Sequence, residues 1–121
     1  MADIAALHWP ADGDAVLNLC QRARDDVRLE TGADPDMAYV KDTMTDAPPC
    51  VPTHHIWCWG HRSAGRTLDA LATCLKGYYQ GNDWYLGLLL LAPAMRGRGL
   101  GAQMAQHVIR QRVLHGFEMY A

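Results

Sequence analysis

The sequence lacks a basic excess. Lys and Arg number 11 against 13 Asp and Glu, for a formal net charge of −2. A protein that coats nucleic acid needs the opposite balance, so that class is set aside. Cysteines are few and unpatterned: Cys20, Cys50, Cys58 and Cys74 form no C-x-x-C pair, and four is far below the density of a disulfide scaffold. Reduced, mostly buried thiols are the expectation. No basic segment precedes an apolar one at the N-terminus, as a secretory signal requires. The longest apolar run, "LGLLLLAPAM", is too short to span a bilayer. The reading is a cytoplasmic protein with no nucleic-acid and no membrane partner. Internal repeats, low-complexity tracts and Gly-, Pro- or Ser-rich linkers are also missing, so residues 1–121 are expected to form a single domain.

What is present suits a folded chain. Hydrophobic residues make up 50% and charged residues 20%. The charge is unevenly spread: residues 1–50 hold ten acids against four Lys and Arg, and residues 51–121 hold three against seven. A local anion site in the second half is compatible with the acidic total.

Periodicity divides the chain into elements. "ADIAALHW" alternates weakly and predicts a short strand. In "DGDAVLNLCQRARDDVRLETG", Val16, Leu19, Cys20, Ala23 and Val27 recur at steps of three and four, one face of a helix. Asp12 or Asp14 can cap its start and Gly32 lies just past its end. A second helix is predicted over "DPDMAYVKDTMTDAPP", with Asp34 as N-cap, Pro35 in the first position and Pro48-Pro49 as the stop. From "HHIWCWG" the period becomes two, with Ile56 and Cys58 on one face and Trp57 and Trp59 on the other. "TLDALATCLKGYY" follows the turn "HRSAGR" as an antiparallel return. "WYLGLLLLAP" is apolar on both faces, as expected of a central strand covered on both sides. A helix is predicted from Gly99, with Leu100, Met104, Val108 and Ile109 on one face and Gly116 as C-cap, and "FEMYA" reads as the opening of another strand. The order β-α-α-β-β-β-α-β predicts a mixed sheet with helices packed on it, an α+β fold.

The stretch "PAMRGRGLGAQM" joins the last apolar strand to that helix. The first amides of a helix have no intrahelical partners, and the dipole adds partial positive charge there. Glycines leave those amides accessible, so backbone N–H groups can hold an anion, with Arg96 and Arg98 adding charge beside them. A phosphate or pyrophosphate site is the direct inference. A Walker loop needs Lys-Ser/Thr after its last glycine, and Gly101-Ala102 stands here instead. A dinucleotide fingerprint needs an acidic residue about twenty positions on, after a second parallel strand, for which no room remains.

"LLLLAPAMRGRGLGAQMAQHVI" resembles the cofactor motif of the GNAT acyltransferase superfamily: a hydrophobic strand, V-x-P, Arg/Gln-x-x-Gly-x-Gly/Ala, and a helix. Leu91-Ala92-Pro93 and Arg96-Gly97-Arg98-Gly99-Leu100-Gly101 carry the match. The element order along the chain is similar to that family's first to fifth strands. The resemblance implies a GNAT acyl-CoA N-acyltransferase fold, a mixed, mostly antiparallel sheet with helices on both faces. It implies an acetyl-CoA-dependent N-acetyltransferase acting on a primary amine of a small molecule or an amino-acid group. The amides from Gly97 to Gly101 would hold the pyrophosphate of acetyl-CoA. The backbone of Leu89, Leu90 and Leu91 would pair with the pantetheine arm as an added strand would. Gly87 would mark the bulge that splays the sheet.

The reaction needs a base for the ammonium proton, and no motif singles one out. Asp83, Tyr85 and Glu30 are the candidates near the acyl end of the strand, and Tyr78 and Tyr79 could shape the acceptor pocket. The resemblance also implies a further helix, often bearing a tyrosine acid, and two more strands after the fifth. The sequence ends at Ala121 before them, and Tyr120 does not take that tyrosine's place. A C-terminally truncated fold, or one completed by a partner chain, is the expectation. An exposed fifth-strand edge would then favour a homodimer. The alternative this leaves is a catalytically inactive CoA-binding or dimerisation module. His54, His55, Cys58 and His61 are zinc-ligand types, but alternation along a strand sends them to opposite faces, so no metal site is expected. The Trp57 and Trp59 stripe reads as sheet packing.

Overall fold

A computed structural model describes residues 4–45, 56–63, 67–76 and 84–120, and side chains at all of these except 76, 84–86 and 112–120. Four strands, β1 (Ile4–Leu7), β2 (Ile56–Arg62), β3 (Leu68–Lys76) and β4 (Trp84–Leu91), form one sheet in the order β1-β2-β3-β4. Between β1 and β2 lie α1 (Gly13–Arg22), α2 (Arg24–Thr31) and α3 (Met37–Thr45). A 3-10 turn, Pro93–Met95, leads from β4 to α4 (Leu100–Tyr120). None of the described helices is long and apolar enough to cross a membrane.

Strand alternation builds two cores. On one face Cys58, Leu71 and Leu90 pack with Val16, Leu19, Cys20 and Val40 from α1 and α3. On the other, Trp59, Ala70, Ala72 and Cys74 pack under Leu100, Met104 and Val108 of α4. The faces expected for Ile56 and Cys58, and for Trp57 and Trp59, are those found. The two indoles lie 5.7 Å apart and tilted, within the second core's packing. Where β1, β2 and β3 meet, a Cβ on Gly60 would stand 2.5 Å from a Leu68 methyl and 2.7 Å from a Leu7 methyl. Glycine there lets two leucines close over the sheet.

Several expectations need correction. The single helix after β1 is two: it breaks at fully buried Ala23, which ends α1 and begins α2. Buried positions keep their spacing across the break, so periodicity does not reveal it. Gly32 does end α2 in the left-handed conformation, at φ 78°. Asp12 precedes α1, but its carboxylate accepts from the His8 amide (2.7 Å) and not from the helix. Asp34 does not cap α3; it pairs with Arg28, and Asp36 accepts from the Tyr39 amide instead (2.9 Å). The Pro48-Pro49 stop lies outside the described residues.

At the C-terminal end the corrections are larger. The chain from Phe117 to Tyr120 is helical, and α4 runs through Gly116. A strand there would need partners for its amides, whereas the helix satisfies them internally, at a cost of about 1 kcal/mol for an interior glycine. The fifth-strand edge that motivated dimerisation is therefore not formed by these residues. The α+β fold with a mostly antiparallel sheet is as expected: all three strand pairings among the described residues are antiparallel. Among the described residues β4 is an outer strand and not a central one: Leu90 is 2% exposed, while Leu89 is 36% exposed at the open edge. Ile109 leaves the α4 stripe and is 52% exposed.

Candidate functional site

The register of β4 on β3 places Thr73 opposite Leu88 and Cys74 opposite Leu86. Gly87 is the extra residue, a bulge where the sequence anticipated one. A Cβ at Gly87 would lie 3.2 Å from Thr73 Oγ1. The bulge thus uncovers a hydroxyl from the neighbouring strand. Beyond it, the second edge of β4 carries no strand among the described residues. Unpaired backbone groups along Leu88–Leu91 face that edge.

The strand runs directly into the glycine stretch. The Ala92 amide donates to the Asp69 carbonyl (2.8 Å), which fixes the strand's end to β3. Asp69 is itself a bulged residue, skipped in the pairing of His61 with Ala70 and Arg62 with Leu68. After the 3-10 turn, Gly97 and Gly99 adopt φ of 77° and 82°. Backbone entering the left-handed region in this way forms anion-binding concavities of N–H groups. A Cβ on either glycine would meet nothing within 4 Å, so the concavity opens outward. The first α4 bond, Gln103 N to Gly99 O at 3.1 Å, leaves the amides before it without intrahelical acceptors. A Cβ on Gly101 would touch Leu91 at 3.5 Å and Leu89 at 3.8 Å, the close approach of helix to strand.

The two arginines take different roles. Arg96 donates to both oxygens of Asp25 (2.8 and 3.0 Å) and to Asp26 (3.0 Å), in the first turn of α2. Arg98 is exposed and has no ion pair among the described residues, leaving its charge available to an anion. The Arg96 hydrogen bond lowers the Asp25 carboxyl to about 2. A carboxylate whose folded pKa is depressed stabilises fully above its ordinary value and loses that contribution as pH falls towards the folded one. The window here is 3.8 down to about 2, and because Asp25 is exposed the gain is small. In Arg96→Gln the Asp25 carboxyl is expected to titrate again near 3.8, read by carbon-detected NMR. An unchanged titration would show that Arg96 does not hold it.

Two cavities meet beside the bulge. One, of about 200 Å³, is lined by Glu30, Tyr39, Asp42, Thr73 and Gly87 among others. The second, of about 340 Å³, follows Leu88, Leu89 and Leu90 along β4 under Val27 and Leu29. Glu30, Tyr39 and Leu88 line both. The Tyr39 hydroxyl donates to Glu30 Oε1 at 2.8 Å. Burial, then that carboxylate, pushes the Tyr39 hydroxyl far above its ordinary value, so it stays a proton donor at neutral pH.

Of the candidates for the base, Glu30 is brought to this junction. It lies within α2, the helix that begins after the break at Ala23. Tyr85 is placed in β4 opposite Leu75. Asp83, Tyr78 and Tyr79 lie outside the described residues, as do His54, His55 and Cys50. Tyr39, Asp42 and Thr73 are the site residues that sequence reasoning missed. Tyr39 sits on α3 and Thr73 on β3, and no local spacing ties them to β4. Burial raises Cys20 to about 11 and Cys58 to about 12, so neither supplies a thiolate at neutral pH. Among the described residues no three His, Cys, Asp or Glu side chains gather as metal ligands.

Comparisons with known proteins agree with this fold. The ribosomal-protein-S18-alanine N-acetyltransferase of Escherichia coli superposes with a TM-score of 0.64 at 16% identity, over 92% of this chain and 59% of that one. An acetyltransferase from Thermus thermophilus gives 0.73 at 21%, over 91% and 68%. An aminoglycoside 6'-N-acetyltransferase in complex with coenzyme A gives 0.65 at 14%, over 93% and 56%. At such identities the likeness establishes the fold, and the chain spans a little over half to two thirds of these proteins' length. No curated protein sequence matches it. Residues 20–121 match the Acetyltransferase (GNAT) family, and the chain belongs to that family.

Proposed function

We propose that this chain is an acetyl-CoA-dependent N-acetyltransferase whose acceptor is a primary amine of a small molecule or an amino-acid group. One observation carries the reading: two left-handed glycines with open space above them begin α4 where a bulged, open-edged strand ends. Amides of Gly97 to Gly101, with Arg98, would hold the pyrophosphate. The open edge of Leu89, Leu90 and Leu91 would take the pantetheine arm by strand addition. The fit is supported by the Cβ positions of Gly97 and Gly99, which any side chain would fill.

Acetyl-CoA supplies an activated thioester. The chain's own work is to bind, orient and move a proton. Glu30, held by Tyr39, is the group at the junction able to take the ammonium proton, directly or through a water. The amine nitrogen gains the acetyl carbon, the carbon–sulfur bond breaks, and coenzyme A leaves as its thiol. The raised Cys20 and Cys58 thiols support direct transfer over a cysteine-bound acyl group.

The reading is tested by a thermal shift with acetyl-CoA, followed by thiol release with a panel of amines. Saturation at a hundred times Kd adds about 2.7 kcal/mol of stability. No shift at millimolar acetyl-CoA would overturn the assignment of the glycine stretch. A shift without thiol release for any amine would reduce the chain to a CoA-binding module.

A further inference from the structure

α2 forms one wall of the groove that follows Leu88, Leu89 and Leu90, and it is thinly held. Of its eight residues only Val27 is buried, and the rest are exposed. Its C-terminal half is tied to α3, where Tyr39 donates to Glu30 at 2.8 Å. Its first turn is tied to the glycine stretch. The Arg96 guanidinium donates to Asp25 Oδ2 (2.8 Å), Asp25 Oδ1 (3.0 Å) and Asp26 Oδ2 (3.0 Å). A single exposed ion pair contributes little. A two-pronged arginine fork shared by two carboxylates fixes direction as well as distance. Asp26 itself lines the groove of about 340 Å³, and Glu30 follows one helical turn later on the same wall. The residue that opens the glycine stretch therefore grips the element facing the strand's open edge.

We propose that Arg96 is a positioning residue: through Asp25 and Asp26 it holds α2 in place over β4, and so sets the fit of the groove to the pantetheine arm. This rests on the acetyl-CoA reading and gives the two arginines separate duties, Arg98 towards phosphate and Arg96 towards the groove wall. Direct phosphate binding by Arg96 predicts the opposite sign for its acidic partners. Asp25 and Asp26 are anionic and lie against the residue before Gly97. Coulomb repulsion alone would make their removal strengthen the binding of a phosphate there. If they hold the wall through Arg96, their removal weakens binding of the arm despite that relief. Lysine is no substitute, because a single ammonium lacks the planar fork that engages both oxygens of Asp25 together with Asp26.

The test compares two ligands by calorimetry: acetyl-CoA, and 3′-phosphoadenosine 5′-diphosphate, which carries the phosphates without the arm. In the double variant Asp25→Asn, Asp26→Asn, acetyl-CoA should bind about tenfold more weakly. The armless ligand should bind as tightly as in the parent, or more tightly. Arg96→Gln should weaken acetyl-CoA by a similar factor, and combining it with the two asparagines should add little, because all three changes break one network. Arg96→Lys should not restore the parental affinity. A merely structural role would lower the melting temperature and leave the ratio of the two affinities where it was. Unchanged or tighter acetyl-CoA binding in the asparagine pair overturns the proposal and leaves the acetyl-CoA reading standing. Additive losses from Arg96→Gln and the asparagine pair also overturn it, since Arg96 would then act on the phosphates by itself. Failure of the parent chain to bind either ligand overturns the acetyl-CoA reading, and the proposal with it.

Discussion

Gly99→Val abolishes the stabilisation by acetyl-CoA, with affinity at least about a hundredfold weaker. Two effects combine. The native φ of 82° is one that a β-branched residue adopts only at a cost of about 1–3 kcal/mol. The new side chain also enters the open space that the pyrophosphate would occupy. The apo fold should survive, because that Cβ meets no protein atom within 4 Å. Gly101→Ala is the paired control. Its Cβ makes ordinary contacts with Leu91 and Leu89, and alanine in the first turn of a helix stabilises by up to about 1 kcal/mol. Acetyl-CoA should therefore still raise the melting temperature of Gly101→Ala. Unchanged affinity in Gly99→Val would place the phosphates elsewhere.

Glu30→Gln lowers kcat about a hundredfold or more, the range expected for loss of a general base. The amide keeps the size of the carboxylate and can still accept from Tyr39, so the cavity's shape persists. What it cannot do is take a proton. The acetyl-CoA thermal shift should remain at its parental value, since Glu30 lies on α2 and its cavity is lined by no residue of the glycine stretch among the described residues. Tyr39→Phe offers a graded comparison: it frees the carboxylate without removing it, and should cost only a few-fold. A Glu30→Gln variant with parental kcat would remove Glu30 from the chemistry and return attention to β4 itself.

The parts of the site that follow from local rules were legible in the sequence. Strand alternation separated Cys58 from Trp59, a lone glycine in an apolar run marked the bulge, and the glycine spacing after Pro93 marked the two left-handed positions at the start of α4. What escaped depends on distant partners. Arg96 reads as a phosphate ligand until α2, 71 residues earlier in the chain, presents Asp25 to it. α2 presents its acids there because the chain turns at Ala23, and a buried alanine fits an unbroken helix equally well. Continuation of α4 through Gly116 was hidden for a related reason. A glycine near a helix end resembles a cap, and only φ tells the two apart. Thr73 was invisible because a threonine in a buried strand is ordinary until a bulge on the next strand exposes its oxygen.

The bulge also settles an ambiguity of phase. Leu88, Leu89, Leu90 and Leu91 are chemically identical, so the run reads the same shifted by one position. Slipping a strand by one residue exchanges its faces, and most strands resist this because their pattern would put polar groups inside. Here the slip would supply leucine to both cores as before. The information that assigns Leu90 to the α1 side and Leu91 to the α4 side is therefore not in the leucines. It is carried by one residue with no side chain, which adds a half-period to the strand. Deleting Gly87 would keep every apolar side chain and reverse the facing of the residues on one side of the bulge relative to those on the other.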